Sequence, residues 1–208
     1  MKVVYFGSRE IYRDFTTAIN SLRAHNDAEV YAIIEDDSLD IPDVHYIKWD
    51  YRELFNDTNT QTKWGRFGVL RAALSKVLPF DRVISLDVDT IVTGDITGLW
   101  DFDLEGKHMA MCREPYLSLL HPYYNAGVSV MDLKRMRDTG VDDMMIQELN
   151  TTPHRWVAQD AITMYCDIKD LPSEYNACMF TAPCDNPKIL HFANRTDWRG
   201  LPIVQQYR

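Results

Sequence analysis

Residues 82–92 read RVISLDVDTIV, an apolar run interrupted by two aspartates. The run from Val83 to Leu86 is typical of a buried strand, and it places Asp87 and Asp89 at the carboxyl end of that strand. Side chains alternate along an extended chain, so the two carboxylates share a face and a turn can converge them on one ion. Such hard oxygen ligands suit Mg²⁺ or Mn²⁺, which would neutralise a bound diphosphate. The alternative is a turn whose carboxylates are merely solvated.

Strand and helix patterns alternate through the first 90 residues. Besides Val83–Leu86, apolar runs predict strands at Val3–Phe6, Val30–Ile34, Val44–Trp49 and Ile91–Val92. Helical spacing of apolar residues predicts a first helix through Ile11, Phe15, Ala18, Ile19 and Leu22, and a second from Gln61 to Leu78. This alternation favours an α/β fold with a central, mostly parallel mixed sheet flanked by helices.

The second half of the chain alternates less regularly, which indicates mixed strand pairing. Strands are predicted at His108–Cys112, Val128–Met131 and Ile189–Phe192, and helices at Val141–Asn150 and Gln159–Tyr165. Ligands of open α/β sheets bind beyond the carboxyl ends of the strands. We therefore expect the functional residues directly after Phe6, Ile34, Leu86 and Leu190.

The composition predicts one acidic globular domain spanning residues 1–208. The 208 residues, 46% of them hydrophobic, are enough for a packed core, and the net charge of -9 disfavours nucleic acid and membrane surfaces as partners. A diphosphate would need a compensating metal ion or a few placed Arg and Lys. The spacing of the four cysteines fits no zinc site, which predicts free, mostly buried thiols at Cys112, Cys166, Cys178 and Cys184.

The amino-terminal sequence predicts a cytoplasmic protein, located in the host cytoplasm if a virus encodes it. Strand-like residues Lys2–Phe6 follow the first Met, with no signal-peptide h-region. The sequence also lacks a run of about 18 apolar residues, so no membrane span is expected.

The segment from Arg71 to Trp100 resembles the signature of glycosyltransferase family eight, a group of retaining enzymes with a GT-A (Rossmann-like) fold. The matching residues are Arg71, Leu78-Pro79-Phe80-Asp81-Arg82-Val83, Leu86-Asp87-Val88-Asp89-Thr90-Ile91-Val92 and Ile96-Thr97-Gly98-Leu99-Trp100. Helix end, strand, acidic motif and following segment all keep the spacing of the family. The resemblance implies a single GT-A domain, with a nucleotide-binding half at about 1–100 and a donor-sugar and acceptor half at about 101–208.

A metal site follows from the same resemblance. His191, in the run Ile189-Leu190-His191-Phe192, matches the family's histidine that completes the metal site with Asp87 and Asp89. One imidazole among oxygen ligands favours Mn²⁺ over Mg²⁺. The alternative is a histidine that is hydrogen-bonded in the core.

The resemblance also implies a donor-sugar site. Asn125, Ala126 and Gly127 match the residues of a family strand that contact the donor sugar, although a turn before a buried strand would look the same. Gln159 matches the glutamine beneath the anomeric carbon, and Asp160 is the nearest carboxylate.

A nucleotide site is implied near the amino terminus. Gly7 and Ser8 resemble the loop that holds the nucleobase, and Tyr12 would stack on the base unless it is a core aromatic. Asp87 and Val88 belong to the same nucleotide-binding set. The base is expected to be uracil.

Two departures from the family pattern bear on the site. Ala158 stands where the family has an aspartate, and the segment after Phe192 lacks the lysine that grips the leaving diphosphate. Arg195 or Arg199 could supply that cation, because guanidinium binds phosphate bidentately. Arg71 would reach the same diphosphate from the other side.

The sequence thus predicts a metal-dependent, retaining glycosyltransferase. It would move a hexose or deoxyhexose from a UDP-sugar to a hydroxyl of a glycan or glycoprotein, with Arg71, Gln159 and Asp160 as catalytic residues. A non-catalytic nucleotide-sugar binder is the alternative that Ala158 and the missing lysine favour. A sugar nucleotidyltransferase is a further alternative, although Phe6-Gly7-Ser8-Arg9 is poor in glycine for a triphosphate loop.

Overall fold

A seven-stranded mixed sheet forms the centre of the molecule. The computed structural model describes residues 1–62, 65–119 and 121–208. The strands are β1 (Lys2–Phe6), β2 (Glu29–Ile34), β3 (Val44–Lys48), β4 (Arg82–Leu86), β5 (Thr90–Val92), β6 (Met109–Arg113), β7 (Tyr124–Asp132), β8 (Ile168–Asp170) and β9 (Ile189–His191). The helices are α1 (Tyr12–Arg23), α2 (Leu74–Val77), α3 (Thr97–Trp100), α4 (Leu133–Thr139), α5 (Val141–Thr151), α6 (Ala158–Tyr165) and α7 (Pro202–Gln205).

Parallel strands make up one half of the sheet, in the order β3-β2-β1-β4. The other half begins with β7, which runs antiparallel to β4 and β6, and it ends with β8, parallel to β6. A separate ribbon pairs β5 with β9 in antiparallel orientation, and Thr90 lies opposite His191. This register brings the end of β9 beside the turn that carries Asp87 and Asp89.

The sheet separates two apolar cores. Along β1, Val4 packs into one core, whereas Val3 and Tyr5 pack into the other, because side chains alternate along a strand. Helices α4, α5 and α6 cover the first face, and α1 and α3 cover the second. The α/β class with a mostly parallel sheet and flanking helices is thereby confirmed.

Most predicted elements agree with the structure to within one residue at each end. The exceptions among the strands lie in the second half, where β7 begins at Tyr124, four residues before the predicted Val128. That extension places Asn125, Ala126 and Gly127 inside a strand rather than before it.

The prediction of one helix from Gln61 to Leu78 is wrong. Gly65 takes a left-handed φ of 58°, and short 3₁₀ turns follow at Arg66–Gly68 and Leu70–Ala73 before α2 begins. Lys63 and Trp64 lie outside the described residues. Glycine adopts positive φ without steric cost, so Gly65 interrupts helical geometry where an L side chain would resist.

The cysteine prediction is correct in part. All four thiols are free, but only Cys112 is buried, and Cys166, Cys178 and Cys184 are half-buried. Among the described helices, none combines the length and apolarity that crossing a membrane would require.

Candidate active site

A cavity of about 750 Å³ opens at the carboxyl ends of β1 and β4. Residues that follow Phe6, Leu86 and Leu190 line it, as expected for an α/β sheet. The acidic residues that follow Ile34 do not line it, so that part of the expectation is wrong. The predicted site residues found in its lining are Gly7, Ser8, Arg71, Asp87, Val88, Asp89, Asn125, Ala126, Gly127, Gln159, His191 and Arg199.

Two carboxylates and an imidazole converge on one point of this cavity. Nε2 of His191 lies 3.5 Å from Oδ1 of Asp89 and 3.7 Å from Oδ2 of Asp87. Each residue offers a ligand atom, and these atoms all lie within 4.8 Å of one another. The backbone amide of Phe192 donates to the carbonyl of Asp89 at 2.9 Å, which fixes the acidic turn against β9. Two hard oxygens and one imidazole are a donor set that fits Mn²⁺ or Mg²⁺.

Gly127 and Asn176 fix the position of the His191 imidazole. A Cβ on Gly127 would lie 2.0 Å from Cε1 of His191, so only glycine leaves room for the ring. Nδ1 of His191 lies 2.9 Å from Oδ1 of Asn176, a fully buried side chain. Because Asn176 uses its amide nitrogen on Asn125, its oxygen accepts from Nδ1, and Nε2 is left facing the carboxylates.

The electrostatics of the cluster are those of a cation site. Burial alone would lower the pKa of His191, but Asp89, Cys178 and Asp87 raise it to about 10. Burial alone would raise the pKa of Asp89, yet His191 and Arg71 hold it below its ordinary value. The carboxylates thus keep a proton on the imidazole, and a divalent cation would replace that proton.

Arg71 brings a buried positive charge to the same wall. Its guanidinium donates to Oδ1 of Asp87 at 2.6 Å and lies 5.0 Å from the ring centroid of Phe6. Only 4% of Arg71 is exposed, and among the described residues its Nε has no hydrogen-bond partner. Arg71 lines the cavity, so its guanidinium places a positive charge beside the acidic cluster.

The buried Glu114 and Asn125 and the half-buried Gln159 form a hydrogen-bonded network at the base of the cavity, beyond the acidic cluster. Nδ2 of Asn125 donates to Oε1 of Glu114 at 2.8 Å, and Nε2 of Gln159 donates to the same oxygen at 3.2 Å. Oε1 of Gln159 accepts from the backbone amide of Ala126 at 3.0 Å. The network therefore aligns Gln159 and Asn125 at the base of the cavity.

Sequence reasoning missed Glu114 and Asn176. Glu114 lies just after β6, so the rule that located Asp87 and His191 at strand ends could also have found it. Asn176 lies outside strands and helices, and no local pattern marks it.

Three predicted site residues lie outside the cavity lining. Tyr12 is buried, and its hydroxyl accepts from the backbone amide of Glu35 at 2.9 Å, so its ring is not presented for stacking. Asp160 accepts from the backbone amide of Trp156 at 2.9 Å and holds the turn before α6. Arg195 pairs with Asp197 at the surface. Each of these three side chains therefore contacts a protein group rather than lining the cavity, and their direct roles stay predictions.

The turn that Asp160 holds is strained. Val157 has φ 48° and ψ −117°, a conformation that β-branched residues rarely adopt. Its side chain is buried, and Val157 and Trp156 both line the cavity. Strain of this kind persists where the surrounding structure enforces it. The turn presents Ala158 and Gln159 to the cavity.

The guanidinium of Arg199 places a second positive charge at the cavity. Its Nε donates to Oδ1 of Asp14 at 2.8 Å and its Nη2 donates to Oδ2 at 2.5 Å. Asp14 is 3% exposed, so the guanidinium is held by one edge against a fixed carboxylate. Among the described residues Nη1 has no partner, and that edge is available to a ligand.

The mixed sheet, the acidic turn after β4 and the cavity at the strand ends define the GT-A class of fold. A solved structure of galactosyltransferase LgtC in complex with donor and acceptor sugar analogs superposes on the whole chain with a TM-score of 0.78, covering 94% of that protein at 15% identity. The likeness shows the fold.

The chain belongs to the family described as glycosyl transferase family 8, whose model matches residues 3–196. It is 30% identical over 115 residues to a lipopolysaccharide 1,2-glucosyltransferase of Escherichia coli K12, across 48% of this chain and 34% of that protein. It is 26% identical over 164 residues to glycosyltransferase GlyF of Streptococcus pneumoniae, across 69% of this chain and 40% of that protein. The chain thus spans between 34% and 40% of the length of these relatives.

Proposed function

We propose that this chain is a metal-dependent, retaining glycosyltransferase that moves a hexose or deoxyhexose from a UDP-sugar to a hydroxyl of a glycan or glycoprotein. The observation that carries the proposal is the convergence of Asp87, Asp89 and His191 in the cavity at the strand ends. Family membership supports transfer of a sugar, because the curated relatives bear the names of glycosyltransferases.

The residues around the acidic cluster suit a diphosphate. A bound Mn²⁺ or Mg²⁺ would neutralise the diphosphate and stabilise the charge that develops as the sugar departs. Arg71 and Arg199 both line the cavity, where Arg71 donates to Asp87 and Arg199 donates by one edge to Asp14. Donors fixed before the reaction stabilise developing charge without reorganising. We assign Arg71 and Arg199 to the leaving diphosphate.

The floor of the cavity suits a donor sugar. Gln159 and Asn125 are aligned by Glu114, and Ala158 replaces the carboxylate of the family pattern with a methyl group. An apolar contact at that position favours a sugar that lacks a hydroxyl there, such as a deoxyhexose. Glu114 accepts from both amides, which is consistent with a positioning role.

We propose that transfer retains the configuration at the anomeric carbon, which membership of the family supports. Gln159 is a weak nucleophile, so we favour attack by the acceptor on the face from which the diphosphate leaves. In that route the bond from the anomeric carbon to the phosphate oxygen breaks as the bond to the acceptor oxygen forms. The departing phosphate oxygen takes the acceptor proton.

The two halves of the chain would divide the substrate between them. Gly7, Ser8 and Val88 line the cavity from the first half and suit the uridine, whereas Asn125 and Gln159 line it from the second half. His191 and Arg199 also come from the second half and reach across to the diphosphate. The buried Tyr12 would shape the base pocket only through the loop it holds.

The test is sugar transfer by the Asp89→Ala variant and by the wild-type protein in EDTA. Both should lose transfer from UDP-sugars, because the Asp89 carboxylate faces the cavity beside Nε2 of His191, whereas the backbone carbonyl that holds Phe192 is unchanged by the substitution. Asp138→Ala, which removes a surface carboxylate paired with Lys134, is the matched control and should stay active. Activity that survives both EDTA and the Asp89 change would refute metal dependence.

A non-catalytic binder of nucleotide sugars is the second candidate, favoured by Ala158 and by the absence of the family lysine. Such a protein would bind UDP with Mn²⁺ yet neither hydrolyse nor transfer any donor in a screen of UDP- and GDP-sugars. Dependence on a nucleoside triphosphate would instead indicate a nucleotidyltransferase.

A further inference from the structure

Large apolar side chains are exposed around the mouth of the cavity. Six large hydrophobic residues of the described chain are exposed, and three of them line the cavity: Tyr116 at 81%, Leu117 at 52% and Met179 at 70%. A fourth, Leu119 at 86%, lies two residues further along the same turn. We call Tyr116, Leu117, Met179 and the half-buried Phe180 the apolar rim.

The first part of the apolar rim is held by hydrogen bonds within residues 114–118, directly after β6. The amides of Leu117 and Ser118 donate to the carbonyl of Glu114, at 3.2 and 3.1 Å. The hydroxyl of Ser118 donates to that carbonyl at 2.8 Å and accepts from the amide of Tyr123 at 2.9 Å. The carboxylate of Glu114 meanwhile bonds to Asn125 and Gln159, so this turn is built onto the floor of the site.

The second part is held by a turn after Asn176. The Thr181 hydroxyl accepts from the amide of Cys178 at 3.2 Å and donates to the carbonyl of Asn176 at 2.7 Å. Asn176 is the residue that orients His191. Met179 and Phe180 therefore project from a fixed turn that is built onto the metal-binding side of the site.

Two anchored turns that present apolar side chains at one opening indicate a ligand surface. Contiguous exposed apolar patches mark binding sites, whereas single exposed apolar residues are ordinary on a protein surface. Met144 and Met164 are also exposed but lie outside the cavity lining, so they are examples of such ordinary exposed residues. The net charge of -9 disfavours an anionic membrane as the occupant.

We propose that the apolar rim binds an apolar group carried by the acceptor, so that the acceptor is a glycoside with an alkyl or aryl chain rather than a free polar oligosaccharide. The proposal rests on the proposed function, since it takes the cavity as the place of transfer. The rim is continuous with the floor through Glu114 and with the acidic cluster through Asn176. If the acceptor hydroxyl lies at the anomeric carbon of the donor sugar, the rest of the acceptor would lie against the side chains of the apolar rim.

The test uses octyl β-glucoside below its micelle-forming concentration, with methyl β-glucoside as the polar control. Protein labelled with ¹³C at the methionine methyl groups reports contacts, and Met179→Leu, Met144→Leu and Met164→Leu variants assign the three exposed resonances. We expect octyl β-glucoside to shift the methyl resonance of Met179 saturably and to leave the resonances of Met144 and Met164 unchanged. We also expect it to bind much more tightly than methyl β-glucoside.

Substitution of the rim sharpens the test. Leu117→Ser should weaken octyl β-glucoside roughly tenfold, because an apolar contact is lost, while Met164→Ser should leave the affinity unchanged. Both side chains are more than half exposed, so neither change should impair folding. Equal shifts of all three methionines, or equal binding of the methyl and octyl compounds, would overturn the proposal.

Two further outcomes are decisive. Sedimentation that reveals a dimer lost in Leu117→Ser would show that a second copy covers the rim, and the proposal would fail. Thermal shift by UDP with Mn²⁺ in the same samples separates this proposal from the proposed function. UDP binding with an unchanged Met179 resonance would refute the rim proposal alone, whereas a shifted Met179 resonance without UDP binding would refute the UDP-sugar donor of the proposed function.

Discussion

His191 owes its position in the acidic cluster to the absence of a side chain on Gly127. The backbone of Gly127 also accepts from the amide of Asp87 at 2.8 Å, so strand β7 and the acidic turn are fixed to each other at this residue. A methyl group there would occupy the space of the imidazole without removing any backbone hydrogen bond.

We expect Gly127→Ala to weaken Mn²⁺ binding by more than about tenfold, because the ring of His191 must leave the cluster. Gly94→Ala is the matched control, since its Cβ would meet only Lys188 at 3.9 Å. Isothermal titration with Mn²⁺ measures both. Unchanged Mn²⁺ affinity in Gly127→Ala would remove His191 from the ligand set.

The two arginines that follow β9 differ in their surroundings. Arg199 lines the cavity and is held by the buried Asp14, whereas Arg195 pairs with Asp197 on the exposed surface. The sequence offered both as replacements for the family lysine, and only their tertiary contacts separate them.

We expect Arg199→Ala to lower kcat at least tenfold, a loss of about 1.4 kcal/mol of transition-state stabilisation, with a smaller change in KM. Arg195→Ala is the natural control and should retain wild-type kcat. Steady-state kinetics of the two variants measure this. Wild-type kcat in Arg199→Ala would leave the leaving group to Arg71 and the metal.

At the scale of elements, the segment from Leu70 to Val77 is held by α5 rather than by its own helical propensity. The hydroxyl of Ser75 donates to Oδ2 of Asp142 at 2.6 Å, and both side chains are buried. Lys76 lies 3.4 Å from the same carboxylate and 2.9 Å from Asp143. A buried carboxylate at the start of α5 therefore joins two elements.

Asp142→Ala should lower the free energy of unfolding by about 2 kcal/mol, because Ser75 is left buried without its acceptor. Asp143→Ala, at an exposed position beside it, should cost less than about 1 kcal/mol, as surface ion pairs do. Urea unfolding monitored by fluorescence compares them. Equal losses in the two variants would contradict the structural role of the buried pair.

Most strands were predictable from the sequence, whereas β8 and the segment before Pro79 were not. Val3–Phe6 is a continuous apolar run and Val83–Leu86 is apolar except for Ser85, as is typical of a strand buried on both faces. The run from Leu70 to Leu74 is apolar except for Arg71, and all five of its residues are buried, so periodicity could not distinguish a helix from 3₁₀ turns. The acidic turn was located by the strand before it, and the same rule applies to Glu114 after β6, whereas Asn176 acts through tertiary contacts that no local pattern encodes.

At the scale of the whole molecule, charge decides how a nucleotide can bind. The chain carries a net charge of -9, and the cavity itself contains the carboxylates of Asp14, Asp87, Asp89 and Glu114. Arg71 and Arg199 each already pair with one of these carboxylates. Without a divalent cation, the site therefore carries no net positive charge to attract a diphosphate. A bound divalent cation would supply that charge.

UDP should therefore raise the melting temperature strongly with Mn²⁺ and only weakly in EDTA. Ligand at about 100 times its Kd adds roughly 2.7 kcal/mol of stability. For a chain of this size that corresponds to a rise of roughly 5–10 °C. Uridine, which lacks the diphosphate, is the control, and Mn²⁺ should leave its small shift unchanged. A UDP shift of equal size in EDTA would mean that the arginines alone neutralise the diphosphate, and a larger shift with GDP would contradict a uracil pocket at Gly7 and Ser8.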